Sequence, residues 1–170
     1  MRRLSKFIAG VLVVLVLGEH VAFAIDARNA AYCGGTITTL GDAKDPVEGR
    51  LDTTNEEALI FAASDKDVAG KTVSIPYSGI VDLEYGQKAG RRVGAAVATT
   101  VLLGPIGLVS LFSKKRKHFL TIGFKDNAGK DQVAVLELGK DIVRTTLAIV
   151  QTRSGKQIEY QDDEARKSAK

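Results

Sequence analysis

The feature that most limits what this chain can fold into is a run of 20 uncharged residues, 93–112 (VGAAVATTVLLGPIGLVSLF), in the interior of a 170-residue sequence. Lys88, Arg91 and Arg92 precede it, and Lys114, Lys115, Arg116 and Lys117 follow it. A helix of that length is about 30 Å long, enough to cross the hydrocarbon of a bilayer. Gly104-Pro105-Ile106-Gly107 interrupts the run at its centre. Proline removes a helix hydrogen bond there, and the glycines loosen the backbone. The residues on both sides read as short strands of a single β-rich domain.

Three readings of the run follow. A single transmembrane helix would put the preceding and following strands on opposite sides of the bilayer and cut the domain in two, leaving unpaired edges on each side. A helical hairpin bent at Pro105 would have two arms of about 15 Å, roughly half the hydrocarbon thickness, and would return both ends to one side. In that arrangement Gly94, Ala95, Ala96 and Ala98 allow the arms close approach. Third, the run folds back over the protein's own sheet or packs into a subunit interface. All three place apolar side chains away from water, and the sequence leaves them open.

The N-terminus reads as a secretory signal. Arg2, Arg3 and Lys6 lead an apolar stretch at 7–17, and Ala22-Phe23-Ala24 supplies small residues at the two positions a signal peptidase reads. Cleavage is expected after Ala24; an uncleaved anchor is the alternative. The expected organisation is a signal at 1–24, a linker at 25–33, a β domain at 34–160 holding the insertion at 93–112, and a disordered charged tail at 161–170. The expected location is therefore exported and associated with the cell envelope, on the periplasmic side if the signal is removed.

Charge is unevenly placed. The chain is +4 overall, and residues 1–24 carry three basic and one acidic side chain. Residues 88–117 hold seven basic side chains and no acidic ones, so the remainder beyond residue 24 is net acidic. Basic clusters bracketing an apolar run, with no aromatics between them, suit an anionic headgroup layer better than nucleic acid. One objection stands: a basic cluster such as 114–117 prefers the cytoplasmic side of a membrane. An uncleaved anchor followed by a second span would satisfy that preference but would divide the domain.

Strands are expected at 34–40, 58–63, 72–75 (stopped by Pro76), 80–85, 119–124 and 132–138, with a hairpin turn at 126–129. An amphipathic helix opens after Asp141 as its cap and is stopped by Gly155, and 156–160 returns extended. The fold class is mainly β (α+β): a small bent antiparallel sheet or barrel, closed by one C-terminal helix, with the apolar helical insertion between strands.

No catalytic, cofactor or metal site is expected. A single cysteine, Cys33, leaves no internal disulfide and reads as a small buried thiol. Asp82 and Glu84 alternate with apolar residues, as on a solvated strand face. His118 stands beside four basic residues, where protonation is disfavoured. No phosphate-loop or metal-ligand spacing is present.

The segments SIPYSGIVDLEYG (74–86), KKRKHFLTIGF (114–124), VAVLEL (133–138) and the helix after Asp141 together resemble the bacterial pleckstrin-homology-like and GRAM-like domains, in an exported bacterial protein. The resemblance implies a bent seven-strand barrel closed by one helix, with a basic or apolar insertion that meets lipid. The function expected is non-enzymatic association with the membrane of the bacterial envelope. Val97, Val101, Leu102, Leu103, Pro105, Ile106, Leu108, Val109, Leu111 and Phe112 would enter the bilayer. Lys88, Arg91, Arg92, Lys114, Lys115, Arg116 and Lys117 would contact anionic headgroups. The alternative is a homo-oligomeric interaction module whose apolar run is buried between subunits.

Overall fold

The computed structural model describes residues 29–40, 45–87 and 117–169. The apolar run and all its basic flanks except Lys117 lie outside them, as do residues 1–28 and every expectation placed on them. The described strands are β1 (Ala30–Gly35), β2 (Val47–Asp52), β3 (Ala58–Ala63), β4 (Thr72–Pro76), β5 (Ile80–Gly86), β6 (His118–Lys125), β7 (Asp131–Leu138) and β8 (Ile158–Tyr160). Helix α1 (Val143–Ser154) precedes β8, and α2 (Asp163–Ser168) follows it. Single-turn helices occupy Thr38–Leu40 and Tyr77–Gly79.

All eight strands form one sheet in the order β4-β3-β2-β1-β7-β6-β5-β8. Every ladder is antiparallel except the last, where β8 runs parallel to β5. The fold is thus mainly β, as expected, but the sheet is mixed and not closed. β4 comes near β6 without a ladder between them. Two helices, not one, follow the β-rich part.

Local chemistry accounts for most of the elements. The β6–β7 hairpin turns on Asp126, whose Oδ1 accepts from the backbone N–H groups of Ala128 and Lys130, both at 2.9 Å. Such a side-chain turn lets each strand begin without loose backbone groups. β2 alternates buried Val47, Gly49 and Leu51 with exposed Glu48 and Arg50, a period of two that buries one face. α1 ends at Gly155, which adopts φ 68° and donates its N–H to Gln151 O at 3.0 Å. That left-handed cap is the conformation glycine reaches without cost.

Several expectations need correction. The stretch read as a linker contains most of β1, because a strand of small residues carries little β signal of its own. The tail read as disordered contains α2, capped by Asp162, which accepts from Ala165 N at 2.7 Å. Asp141 does not cap α1. Ile142 occupies that position with no side-chain bond, so the helix starts later than the acidic residue suggested.

The core lies on one face of the sheet. Tyr32, Phe61, Leu83, Leu120, Ile122 and Leu136 form its centre, each 4% exposed or less. α1 adds Val143, Leu147 and Val150, α2 adds Ala165, and the single turns add Leu40 and Tyr77. α1 is tied down by Arg153, whose guanidinium donates to Thr53 O and Asn55 O, each at 2.6 Å, and lies 5.3 Å over the Tyr77 ring. Among the described residues no helix is long and apolar enough to cross a membrane.

Candidate functional site

Side chains alternate across a strand, so the register shows which residues share the face opposite the core. Glu84 pairs with Thr121, Thr121 with Val135, and Gly86 with Phe119. Phe119 pairs with Glu137, and Glu137 with Ala31. Val133, Val135, Phe119, Thr121 and Cys33 therefore lie on the outer face of β1, β7, β6 and β5, and none of them belongs to the core cluster. Even so, Val133 and Val135 are 0% exposed, Phe119 2% and Thr121 4%. This half of the sheet is buried on both faces. Strands of that kind read as near-continuous apolar runs, as 119–124 and 133–136 do.

This geometry overturns one reading of the sequence. Asp82 and Glu84 do not sit on a solvated strand face. Glu84 is buried, and its Oε1 accepts from Gln161 Nε2 at 2.7 Å. Alternation with apolar neighbours was sound evidence for two unlike faces. It did not show that the polar face is wet.

The strand ends that flank residues 88–116 are neighbours in the ladder. β5 ends at Gly86 and β6 begins at His118, and the two strands are adjacent antiparallel partners with Gly86 opposite Phe119. Chain departure and return are therefore one strand spacing apart, about 5 Å. Of the expected headgroup residues only Lys117 is described. Its Nζ sits 2.8 Å from Glu137 Oε2, and the two side chains are 31% and 24% exposed. The remaining headgroup residues and all ten expected membrane-inserting residues lie outside the described residues.

At the same end of the ladder stands a polar cluster that no sequence signal marked. Tyr85 is fully buried, and its hydroxyl lies 2.5 Å from His118 Nδ1 and 3.3 Å from Ser168 Oγ. The Tyr85 and His118 rings stack at 13° and 6.1 Å, and Tyr160 meets Tyr85 edge-on. Burial holds His118 below its ordinary pKa; Lys140 adds to this and Glu137 opposes it. Burial also raises the Tyr85 phenol, against the Ser168 hydrogen bond. The lowered basicity favours a neutral imidazole, whose Nδ1 can accept from the Tyr85 hydroxyl.

Cys33 lies beside Glu137 on the outer face. It is buried, as expected, and burial pushes its thiol up to about 12, with the Glu137 carboxylate adding to the shift. It is a packing residue without thiolate character. Among the described residues, no three of His, Cys, Asp and Glu are grouped to hold a metal ion.

A hydroxyl-rich cleft of about 280 Å³ opens at the other end of β6, lined among others by Thr36, Thr38, Thr39, Thr72 and Ser74. Its deeper polar groups satisfy one another. Thr36 Oγ1 accepts from Val133 N at 2.8 Å and donates to Gln132 Oε1 at 2.5 Å, and Gln132 Nε2 donates to Asp126 Oδ2 at 3.0 Å.

No family model matches this chain, and no curated protein matches it. Among solved structures it is similar to the hSac2 domain from the human phosphoinositide phosphatase Sac2, with 11% identity and a TM-score of 0.47 over 95% of this chain and 90% of that one. A likeness of that degree says nothing about activity.

Proposed function

We propose that this is a non-enzymatic, membrane-associated protein of the bacterial envelope. In this reading a pleckstrin-homology-like domain carries an apolar insertion that enters a bilayer beside the β5–β6 ladder and returns to the same side. The observation that carries it is the pairing of Gly86 with Phe119. Between those residues lie 32 others, of which 20 form the uncharged run. One crossing consumes about 20 apolar residues, and a second crossing back would need about as many again. The charged remainder cannot supply them, so a re-entrant path accommodates the intact ladder better than a span. The basic flanks then lie on one side, each adding up to about 1 kcal/mol against anionic lipid.

Every described element lies after residue 28, so the chain starting at Ile25 is the material to test. It should pellet with anionic vesicles, and deletion of residues 97–108 should release it to the supernatant. In a Cys33→Ala background, cysteines placed at Lys88 and Ser113 should react with an impermeant label from the same side of a sealed vesicle. Labelling from opposite sides would establish a span and overturn the reading.

A further inference from the structure

We propose that the outer face of β1, β7, β6 and β5 is the docking surface for this chain's own 93–112 run when no bilayer is present. Protein and lipid then compete for the same apolar side chains. The competition rests on the membrane reading above; the docking does not.

The outer face is dry. Phe119, Val133 and Val135 are at most 2% exposed within a single chain, and Cys33 is 6% exposed. Yet α1, α2 and both single-turn helices direct their buried side chains into the cluster on the opposite face. Gln161 lies against Gly86 and Glu84 at the β5 corner of this face. It does not extend across four strands.

Attachment points select the occupant. The 88–116 segment is joined at Gln87, next to Gly86, and at Lys117, two residues before Phe119, and Gly86 and Phe119 share the outer face by register. Residues 1–28 join the fold at one end only, at Asn29, and residues 41–44 (GDAK) are short and polar. Size agrees as well. Four strands at about 4.8 Å spacing present a face about 15–20 Å wide. Two ten-residue helical arms, each about 15 Å long and 10 Å thick, would cover that width side by side.

Charge is complementary. Glu48, Asp82, Glu84, Glu137 and Glu159 lie on the outer face by register. The segment that would dock there is flanked by seven basic residues and no acidic ones. Where the described chain resumes, that pattern is already realised in the Lys117–Glu137 pair at 2.8 Å. A run with basic ends and an apolar middle matches an acidic margin around an apolar floor.

The chain contains no tryptophan, so Phe119→Trp gives a single reporter on the covered face. In the chain from Ile25, without vesicles, its emission should be blue-shifted, and deletion of residues 97–108 should shift it to the red. Unchanged emission on deletion overturns the proposal. A second measurement does not depend on that variant. In a Cys33→Ala background, Ala31→Cys is paired in turn with a cysteine at Val97, Val101, Ile106 or Val109 and oxidised. At least one pair should close within the monomer in vesicle-free buffer, and anionic vesicles should abolish it. Disulfides that form only between chains would assign the face to a second copy and overturn the proposal, as would the absence of any. Intramolecular closure in a chain that never pellets with vesicles would keep the docking and reject the membrane reading. Pelleting without closure or blue emission would do the reverse.

Discussion

His118 is where sequence and structure give the same direction for different reasons. The sequence placed it among basic residues. In the structure burial is the first cause of its lowered pKa and Lys140 the second, while Glu137 opposes both. A histidine whose folded pKa is depressed is protonated more readily in the unfolded chain, so its contribution is present above the unfolded value and is lost as pH falls. Stability should therefore be level above about pH 6.5 and decline as pH falls below it toward the lowered folded value. His118→Gln should flatten that part of the profile, measured by urea unfolding at a series of pH values. Tyr85→Phe removes the hydroxyl whose proton the neutral imidazole accepts and should move the His118 titration upward. The chain from Ile25 retains His118 as its only histidine, so a proton NMR titration reads it directly. A downward shift would mean that Tyr85 accepts the bond from the ring instead.

Among the elements, α1 shows how one side chain docks a helix. Arg153 reaches three partners, Thr53 O and Asn55 O in the β2–β3 loop and the Tyr77 hydroxyl at 3.3 Å in a single-turn helix. Hydrogen bonds from a charged donor contribute about 1.5–3 kcal/mol. Arg153→Ala should accordingly lower unfolding free energy by about 2–3 kcal/mol in urea titrations. Arg153→Lys should recover less than half of that, because an ammonium cannot reproduce the planar group's stacking on Tyr77. A loss under 0.5 kcal/mol, the ordinary surface range, would show that the contacts are incidental. The elements also show which signals in the sequence were sufficient. β3 to β7, α1 and its glycine stop were legible, since apolar or β-branched runs, turn residues and helical spacing coincide there. β1 and β2 were not read, because Ala30-Ala31 and Gly49-Arg50 offer weak strand propensity and tertiary pairing decides their state. α2 was hidden by its charge: a six-residue helix held by an Asp162 cap and one buried alanine has almost no apolar pattern to detect.

For the whole molecule, the decisive property is a sheet dry on both faces over half its width. The runs at 119–124 and 133–136 carried that information, yet they were read by alternation alone. What the sequence could not convey is that the polar positions of these strands, Glu84 and Thr121, are buried as well. This arrangement bears on the seven basic residues unequally. Lys117 is engaged with Glu137 at 2.8 Å, and moving it to a headgroup means giving up that pair. If the membrane reading holds, Lys117→Gln should weaken binding to anionic vesicles less than Lys114→Gln does. A lysine close to an anionic leaflet contributes about 1 kcal/mol, which corresponds to roughly fivefold in affinity. Lys114→Gln should approach that figure, and Lys117→Gln should fall well short of it. Raising ionic strength from 0.1 M to 1 M shortens the screening length from about 10 Å to about 3 Å. The difference between the two variants should then shrink, while the apolar part of the binding persists. Cosedimentation over a range of vesicle concentrations at both salt levels measures all four values. Equal losses at low salt would show that Lys117 leaves Glu137 on binding and that the β6–β7 end of the sheet rearranges with it.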